Sequence, residues 1–395
     1  MDVELRTLSG DGEVEQAWHL LCRSFGWSEA DLDRFRDDLD PERTRVAVVD
    51  GEVVAFSRIR PFGQFFGGRA VPLAGYSAVG VAPEHRGRGL GSQVTAAHFE
   101  ELRRRGEWIA GLFPASTGLY RALGFELAGV WGRRTVPTRT LRTLPAPTGV
   151  LVRRATRSDI AAMKACYRRV ASQIDGWLDR SEAWWRRILE KPFDERQVYV
   201  VDGDGGGVEG YLTYDHRATV RRWGYDIVAT EVVASSPAAT GALWRLLGSS
   251  STQAQTVEVV GPPEHPLLLV LPDQDLQPAG ELRWMLRVVD LPGAVAARGY
   301  RPGVRVAVDL EVHDAWCPWN QGRWRLAVEG GEGRAEQGGD GDVQVGIGAL
   351  SSLYSGYVSA GSLRAAGLLH GGSATDDASL DAAFAGQTPW MPDFY

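Results

Sequence analysis

The sequence predicts an α/β (α+β) chain: two mixed-sheet lobes in tandem, then a smaller α+β domain. Three observations carry this reading. A strand-like run, residues 74–81, ends in a basic, glycine-rich turn that opens an amphipathic helix. The strand–helix–hairpin order of residues 3–59 recurs at residues 152–214, beyond a proline-bearing linker at 145–149. Past residue 282 the pattern becomes strands followed by helices, as in segregated α+β domains. A chain of 395 residues exceeds one ordinary domain, and its 44% hydrophobic content supports several cores.

The first region runs from residue 1 to 143. Residues 3–8 read as a strand, 13–25 and 29–39 as helices, and 46–49 with 53–59 as a hairpin about Asp50-Gly51, a favoured two-residue turn. The central strand follows, then a helix carrying Leu90, Val94 and Ala97 on one face. Residues 108–113 form a short apolar run that reads as a buried strand. Ser116 or Thr117 then caps a short helix, Gly124 ends it, and Phe125 starts the next strand.

The second region, residues 150–280, reads as a copy of the first. A strand at 152–154 precedes a helix, residues 198–202 and 208–214 repeat the hairpin, and 225–233 take the place of the central strand. The loop after it, residues 234–241, has lost both arginines and nearly all the glycines, so it is expected not to hold a pyrophosphate. The third region, 282–395, carries strands at 304–312, 322–329 and 343–347 and helices at 349–359, 362–369 and 376–384.

Charge and composition exclude several classes. A net charge of −7 without a long basic tract argues against nucleic acid and is compatible with a cationic partner. Cys22, Cys166 and Cys317 form no CxxC pair, and the seven histidines are scattered, so neither a disulfide framework nor a catalytic metal is expected. Residues 1–4 carry no basic or apolar leader pattern, and no apolar run approaches 18 residues, so the expectation is a soluble cytoplasmic protein. The acidic tract at residues 29–40 is either an entrance for polycations or a solvated helix face, and the second is favoured.

The chemistry concentrates in two motifs. Arg86-Gly87-Arg88-Gly89-Leu90-Gly91 lacks the Lys-Ser/Thr of a Walker A loop and the spacing of a dinucleotide fingerprint. Its glycines permit close backbone approach, its N–H groups and arginines suit phosphate oxygens, and it resembles the pyrophosphate motif of the GNAT acyl-CoA N-acyltransferases. The phrase Tyr120-x-x-x-Gly124-Phe125 is similar to the GNAT region in which a tyrosine faces the thioester sulfur. A phenol, reference pKa about 10, is a sensible proton donor to a thiolate whose conjugate acid lies near 8.5.

Two GNAT-like lobes followed by a sterol-carrier-like α+β domain resemble the enhanced-intracellular-survival (Eis) family. The resemblance implies acetyl-CoA as acyl donor, amine acceptors such as aminoglycosides or polyamines, hence a link to antibiotic resistance, and a hexameric homo-oligomer. It implies that the backbone of Val79, Gly80 and Val81 meets the acetyl and pantetheine groups. It places Arg86, Gly87, Arg88, Gly89, Leu90, Gly91 and Ser92 at the pyrophosphate and Ser116 near the cofactor arm. In that family the chain's terminal carboxylate enters the first lobe as general base; here it belongs to Tyr395, at the end of the aromatic tail Pro389-Trp390-Met391-Pro392-Asp393-Phe394-Tyr395. Burial of Trp390, Phe394 and Tyr395 is expected to fix it. The implied reaction is direct transfer in a ternary complex, Tyr395 as base and Tyr120 as acid. A protein-lysine acetyltransferase and a non-catalytic acyl-CoA or lipid carrier stand as alternatives.

Overall fold

The computed structural model describes residues 3–219 and 224–395. Two sheets organise them. The larger contains β1 (Glu4–Arg6), β2 (Thr44–Val49), β3 (Glu52–Phe66), β4 (Arg69–Val81), β5 (Ile109–Leu112) and β6 (Glu126–Pro137) from the first third of the chain. It continues with β7 (Val150–Arg154), β8 (Leu178–Asp179), β9 (Gln197–Gly203), β10 (Val208–Ala218), β11 (Tyr225–Ala234), β12 (Ala254–Val260) and β13 (Gln277–Val288). The smaller contains β14 (Val306–His313), β15 (Gly322–Glu329), β16 (Glu332–Gln337), β17 (Val343–Gly346) and β18 (Leu369–Gly371).

The local rules are visible at the turns. Asp50 and Gly51 both take positive φ, 52° and 83°, which matches the twist of the β2–β3 hairpin. The expected helix at 29–39 is shorter and broken: a 3₁₀ turn Glu29–Asp31, then Leu32–Asp37, after which Asp38 leaves the helix to accept from Arg60 and Arg187. Ala97 is exposed and does not share the face of Leu90 and Val94. The helix Leu90–Ala96 stops because the Thr95 carbonyl accepts from the Tyr76 hydroxyl at 2.9 Å, and the chain restarts as Phe99–Arg105.

The large sheet runs β1-β2-β3-β4-β5-β13-β6-β12-β11-β10-β9-β7, with β8 on β3. Residues 282–287 therefore do not open the third region. They lie in β13, which is inserted antiparallel between β5 and β6. The physical reason is burial on both faces: Trp284, Met285, Leu286 and Val288 are all 0% exposed, the environment of a central strand. β6 in turn pairs with β12, so each lobe is closed by a strand from the other's stretch of chain.

The small sheet adds two strands that patterning passes over. Gly330 and Gly331 at φ 63° and 84° turn β15 into β16, and β18 pairs with β17. The helices Ile347–Ser355 and Ala374–Phe384 cover it, and the apolar gap beneath them, lined by Leu310, Trp324 and Tyr354, has a cavity volume of ≈ 0 Å³. Arg298 is buried between Phe66 of β3 and Tyr354 and Phe384, its guanidinium 5.3–5.4 Å from the three rings, which ties this domain to the first lobe.

Candidate active site

β4 and β5 run parallel from Leu73↔Ile109 to Tyr76↔Leu112 and then part. Beyond that point Ala78, Val79, Gly80 and Val81 remain paired to β3 alone among the described strands, through Arg58, Ser57, Phe56 and Ala55. An extra residue, Ser77, bulges β4 opposite Arg58 and Ile59. The result is a wedge-shaped opening with the N–H and C=O groups of one strand edge along its wall, suited to an extended chain of amides. Gly80 is required there because a Cβ would stand 2.8 Å from Leu20 and 3.1 Å from Leu21 of the helix Gly10–Phe25.

The basic loop follows directly. Arg86, Gly87, Arg88 and Gly89 are all exposed, and Gly87 and Gly89 hold φ of 76° and 75°, a conformation that disfavours any side chain. Leu90 packs against Val49, Val54 and Val94, so its side chain serves the core and only its backbone faces the loop. Gly91 lets the helix approach Leu119 and Val81, whose carbons a Cβ would meet at 3.2 and 3.5 Å. Ser92 is half-buried in the first turn. Ser116 sits at the N-cap of the helix Thr117–Arg121 but makes no capping bond through its side chain. Tyr120 in that helix is 8% exposed, packs edge-on against Phe125 at 5.9 Å, and burial pushes its phenol up to about 12.

The chain end reaches the same opening from the opposite direction. Val130 of β6 donates to the Pro389 carbonyl at 2.9 Å, and Met391 donates back to Val130 at 3.1 Å. The Asp393 carboxylate is sunk against Arg180 at 3.0 Å and accepts from the indole of Trp184 at 2.7 Å. These bonds deliver the Tyr395 ring to the point where β4 and β5 separate. A Cβ on Gly75 would lie 2.7 Å from it, and one on Gly111 would lie 2.9 Å from its hydroxyl oxygen. Phe62 and Phe113 flank the ring at 5.1 and 5.8 Å. The hydroxyl oxygen is fully buried while the residue as a whole is half-buried.

Phe394 departs from expectation. It is 56% exposed, resting on Phe113 at 4.5 Å and Trp131 at 5.9 Å, because the alternation of an extended tail sends its side chain away from Asp393 and Tyr395. It lines, with Asp393, Trp131, Arg187 and Glu231, a cavity of ≈ 340 Å³ between the lobes. Asp393, Arg180 and Trp184, which anchor the tail, escaped the sequence reading; the available signal was a lone carboxylate inside an apolar terminus. The acidic tract contributes no open entrance through Asp38: burial, which opposes its ionisation, is outweighed by the guanidiniums of Arg60, Arg58 and Arg187, which hold it below the usual carboxylate range.

In the second lobe β11 and β12 also part, after Ala229↔Val259. The loop beyond has no arginine, and its two serines are engaged by Glu209 of β10. Ser236 donates its hydroxyl to Glu209 at 2.7 Å, and Ser235 bonds the Glu209 carbonyl. Among the described residues no three His, Cys, Asp or Glu side chains gather as a metal site, and no helix is long and apolar enough to cross a membrane. All three cysteines are buried and unpaired.

Comparison with known proteins fits this geometry. Residues 4–128 and 176–288 each match an acetyltransferase (GNAT) domain family, and residues 291–392 match a sterol carrier protein domain. An N-acetyltransferase of Streptomyces coelicolor is 30% identical over 342 residues, 82% of each chain. The N-acetyltransferase Eis of Mycobacterium tuberculosis is 29% identical over 81% of this chain and 79% of its own. A GCN5-related N-acetyltransferase from Anabaena variabilis superposes over 100% of both chains with a TM-score of 0.93 at 30% identity. Eis1 from Mycobacterium abscessus does so at 0.82 and 26%. With acetyltransferase (GNAT) domains matched in both of the first two stretches and a sterol carrier domain after them, the protein belongs to the Eis-like GNAT N-acetyltransferases.

Proposed function

We propose that the protein transfers an acetyl group from acetyl-CoA to a primary amine of a small molecule, in one ternary complex at the first lobe. The observation that carries this reading is the seat of Tyr395, wedged over Gly75 and Gly111 where β4 and β5 part. In this reading the edge of Val79, Gly80 and Val81 receives the acyl and pantetheine groups. Arg86 to Ser92 meets the pyrophosphate, with Ser116 beside the cofactor arm. A backbone N–H at Val81 polarises the thioester carbonyl. The Tyr395 carboxylate takes one proton from the acceptor ammonium, and the freed amine forms the C–N bond as the C–S bond breaks. Tyr120, held protonated by burial, gives its proton to the departing thiolate and is recharged by the second proton of the amine.

A homo-oligomer and a cytoplasmic location complete this reading and rest on membership of the Eis-like group. The polycationic acceptors of that resemblance draw less support, since the carboxylates of the neighbouring cavity are already engaged by arginines. Deleting Tyr395, or extending the chain beyond it, tests the proposal. Turnover is expected to fall on the order of a hundredfold or more while acetyl-CoA binding stays. Unchanged turnover refutes the base assignment.

A further inference from the structure

The cavity beside the tail has an uneven lining. Its carboxylates are hidden: the side chains of Asp393, Glu231 and Glu258 are 2%, 10% and 11% exposed. Each is already engaged. Asp393 accepts from Arg180 and Trp184, Glu231 pairs with Arg180 and accepts from Tyr211, and Glu258 takes Arg133 and Arg217. Its arginines are the accessible groups: Arg133, Arg187 and Arg196 are 43%, 38% and 30% exposed. A ligand entering this space therefore meets guanidinium groups before it meets any carboxylate.

Two further observations point the same way. Arg180, 2% exposed and on the cavity wall, leaves its Nη1 buried without a hydrogen-bond partner. Buried guanidinium N–H groups are normally satisfied, so Arg180 keeps an unmatched donor in the wall of the cavity. Behind Arg187, a single carboxylate, Asp38, is shared by three guanidiniums: Arg60 and Arg187, both hydrogen bonded, and Arg58 at 3.8 Å. Burial and the neighbouring Arg60 charge push Arg58 down to about 9, so this wall carries more positive charge than Asp38 offsets. Trp184 joins the two regions: Arg60 and Arg187 lie over its ring at 5.5 and 5.7 Å, and its edge meets Phe62, which touches the Tyr395 ring.

We infer that the acceptor carries a carboxylate as well as its amine, and that this carboxylate docks on the cavity arginines, Arg187 foremost, while the amine reaches the Tyr395 terminus. The inference rests on the acetyltransfer reading above and narrows its substrate class to amino-acid-like zwitterions. A volume of ≈ 340 Å³ sits at the lower end of small-molecule pockets and accommodates such a compound. The transfer balances as R–NH₃⁺ plus acetyl-thioester giving N-acetyl amine, free thiol and one proton to solvent.

Paired acceptors test it: tyrosine against tyramine, phenylalanine against phenethylamine and lysine against cadaverine, followed by CoA release with a thiol reagent. The carboxylated member of a pair is expected to show kcat/KM roughly tenfold or more above its partner, the scale of a charge-assisted hydrogen bond. In Arg187→Gln that preference shrinks through KM, while the acetyl-CoA dissociation constant is unchanged. Arg133→Gln is the second variant should the first fold poorly. Equal or better turnover of the decarboxylated amines, or of spermine, overturns the inference and leaves acetyltransfer standing. If acetyl-CoA binds and no amine reacts, acetyltransfer itself fails. The docking claim then stands or falls on whether N-acetyltyrosine raises the melting temperature of the CoA complex more than N-acetyltyramine; equal shifts overturn it.

Discussion

The seat of the chain end can be probed by a methyl group. Gly111→Ala places a Cβ 2.9 Å from the Tyr395 hydroxyl oxygen and 3.2 Å from Leu73 Cδ1. The backbone cannot yield, because Gly111 is paired to Gly75 of β4 on one side and Leu286 of β13 on the other. The tail must yield instead, and overpacking of this kind costs about 1–3 kcal/mol. Tyr395→Phe removes the clashing atom. It also removes a buried hydroxyl with no partner among the described residues, so alone it should be neutral or stabilising. Combined, the two changes should be much less damaging than Gly111→Ala alone, with a coupling on the order of 1 kcal/mol. Scanning calorimetry of the four proteins measures this, and turnover provides a second readout. Gly111→Ala should lower kcat by shifting the terminal carboxylate, Tyr395→Phe keeps that carboxylate, and the double variant should recover most of the loss. Additivity within about 0.5 kcal/mol, with no recovery of turnover, would falsify the wedge.

Other tests follow from the same geometry. Arg86→Ala and Arg88→Ala should each weaken acetyl-CoA binding roughly tenfold; calorimetry should count one acetyl-CoA per chain, and two sites would overturn the exclusion of the Ser235–Ser236 loop. Tyr120→Phe should lower kcat on the order of ten- to a hundredfold. Because burial raises this phenol to about 12, its proton stays on well past pH 9, and the stability drawn from the neutral form is complete below about pH 10 and lost as pH rises through 12. A fall in kcat centred below pH 9 that vanishes in Tyr120→Phe contradicts this. Asp393→Ala strips the acceptor from Arg180 and Trp184, and removing one partner of so buried a pair costs about 3–5 kcal/mol. The melting temperature and turnover should fall together; an unmoved melting temperature shows that Asp393 does not hold the tail.

What the sequence reveals here depends on range. Asp50-Gly51, the loop Arg86 to Gly91 and the turn at Gly124 after the Tyr120 helix are governed by local backbone rules, so they can be read from neighbours in the chain. The break of the helix at Ala97 is set by Tyr76, a residue 21 positions away that competes for the Thr95 carbonyl, and helical periodicity carries no trace of it. The charged wall is less legible still. Arg58 and Arg60 look like the polar face of a half-exposed hairpin, and only packing of Trp184 and Arg187 over them makes the face an interior one.

The exchange of β6 and β13 is the furthest from the sequence and has the largest consequence. Residues 282–287, with their Trp-Met-Leu run, read as the opening of a new domain. That run is apolar because β5 and β6 flank it and both its faces are covered. β5 is only four residues long and cannot shield the first lobe's core by itself, so the lobe proposed to bind the cofactor is completed by a strand made more than 150 residues later. That strand leads directly into the sterol carrier domain, whose last residues return to Gly75 and Gly111. The second lobe therefore has a structural part to play: it supplies the strand that closes the first lobe, the Arg180–Trp184 anchor for the tail, and part of the cavity wall where the acceptor is proposed to bind.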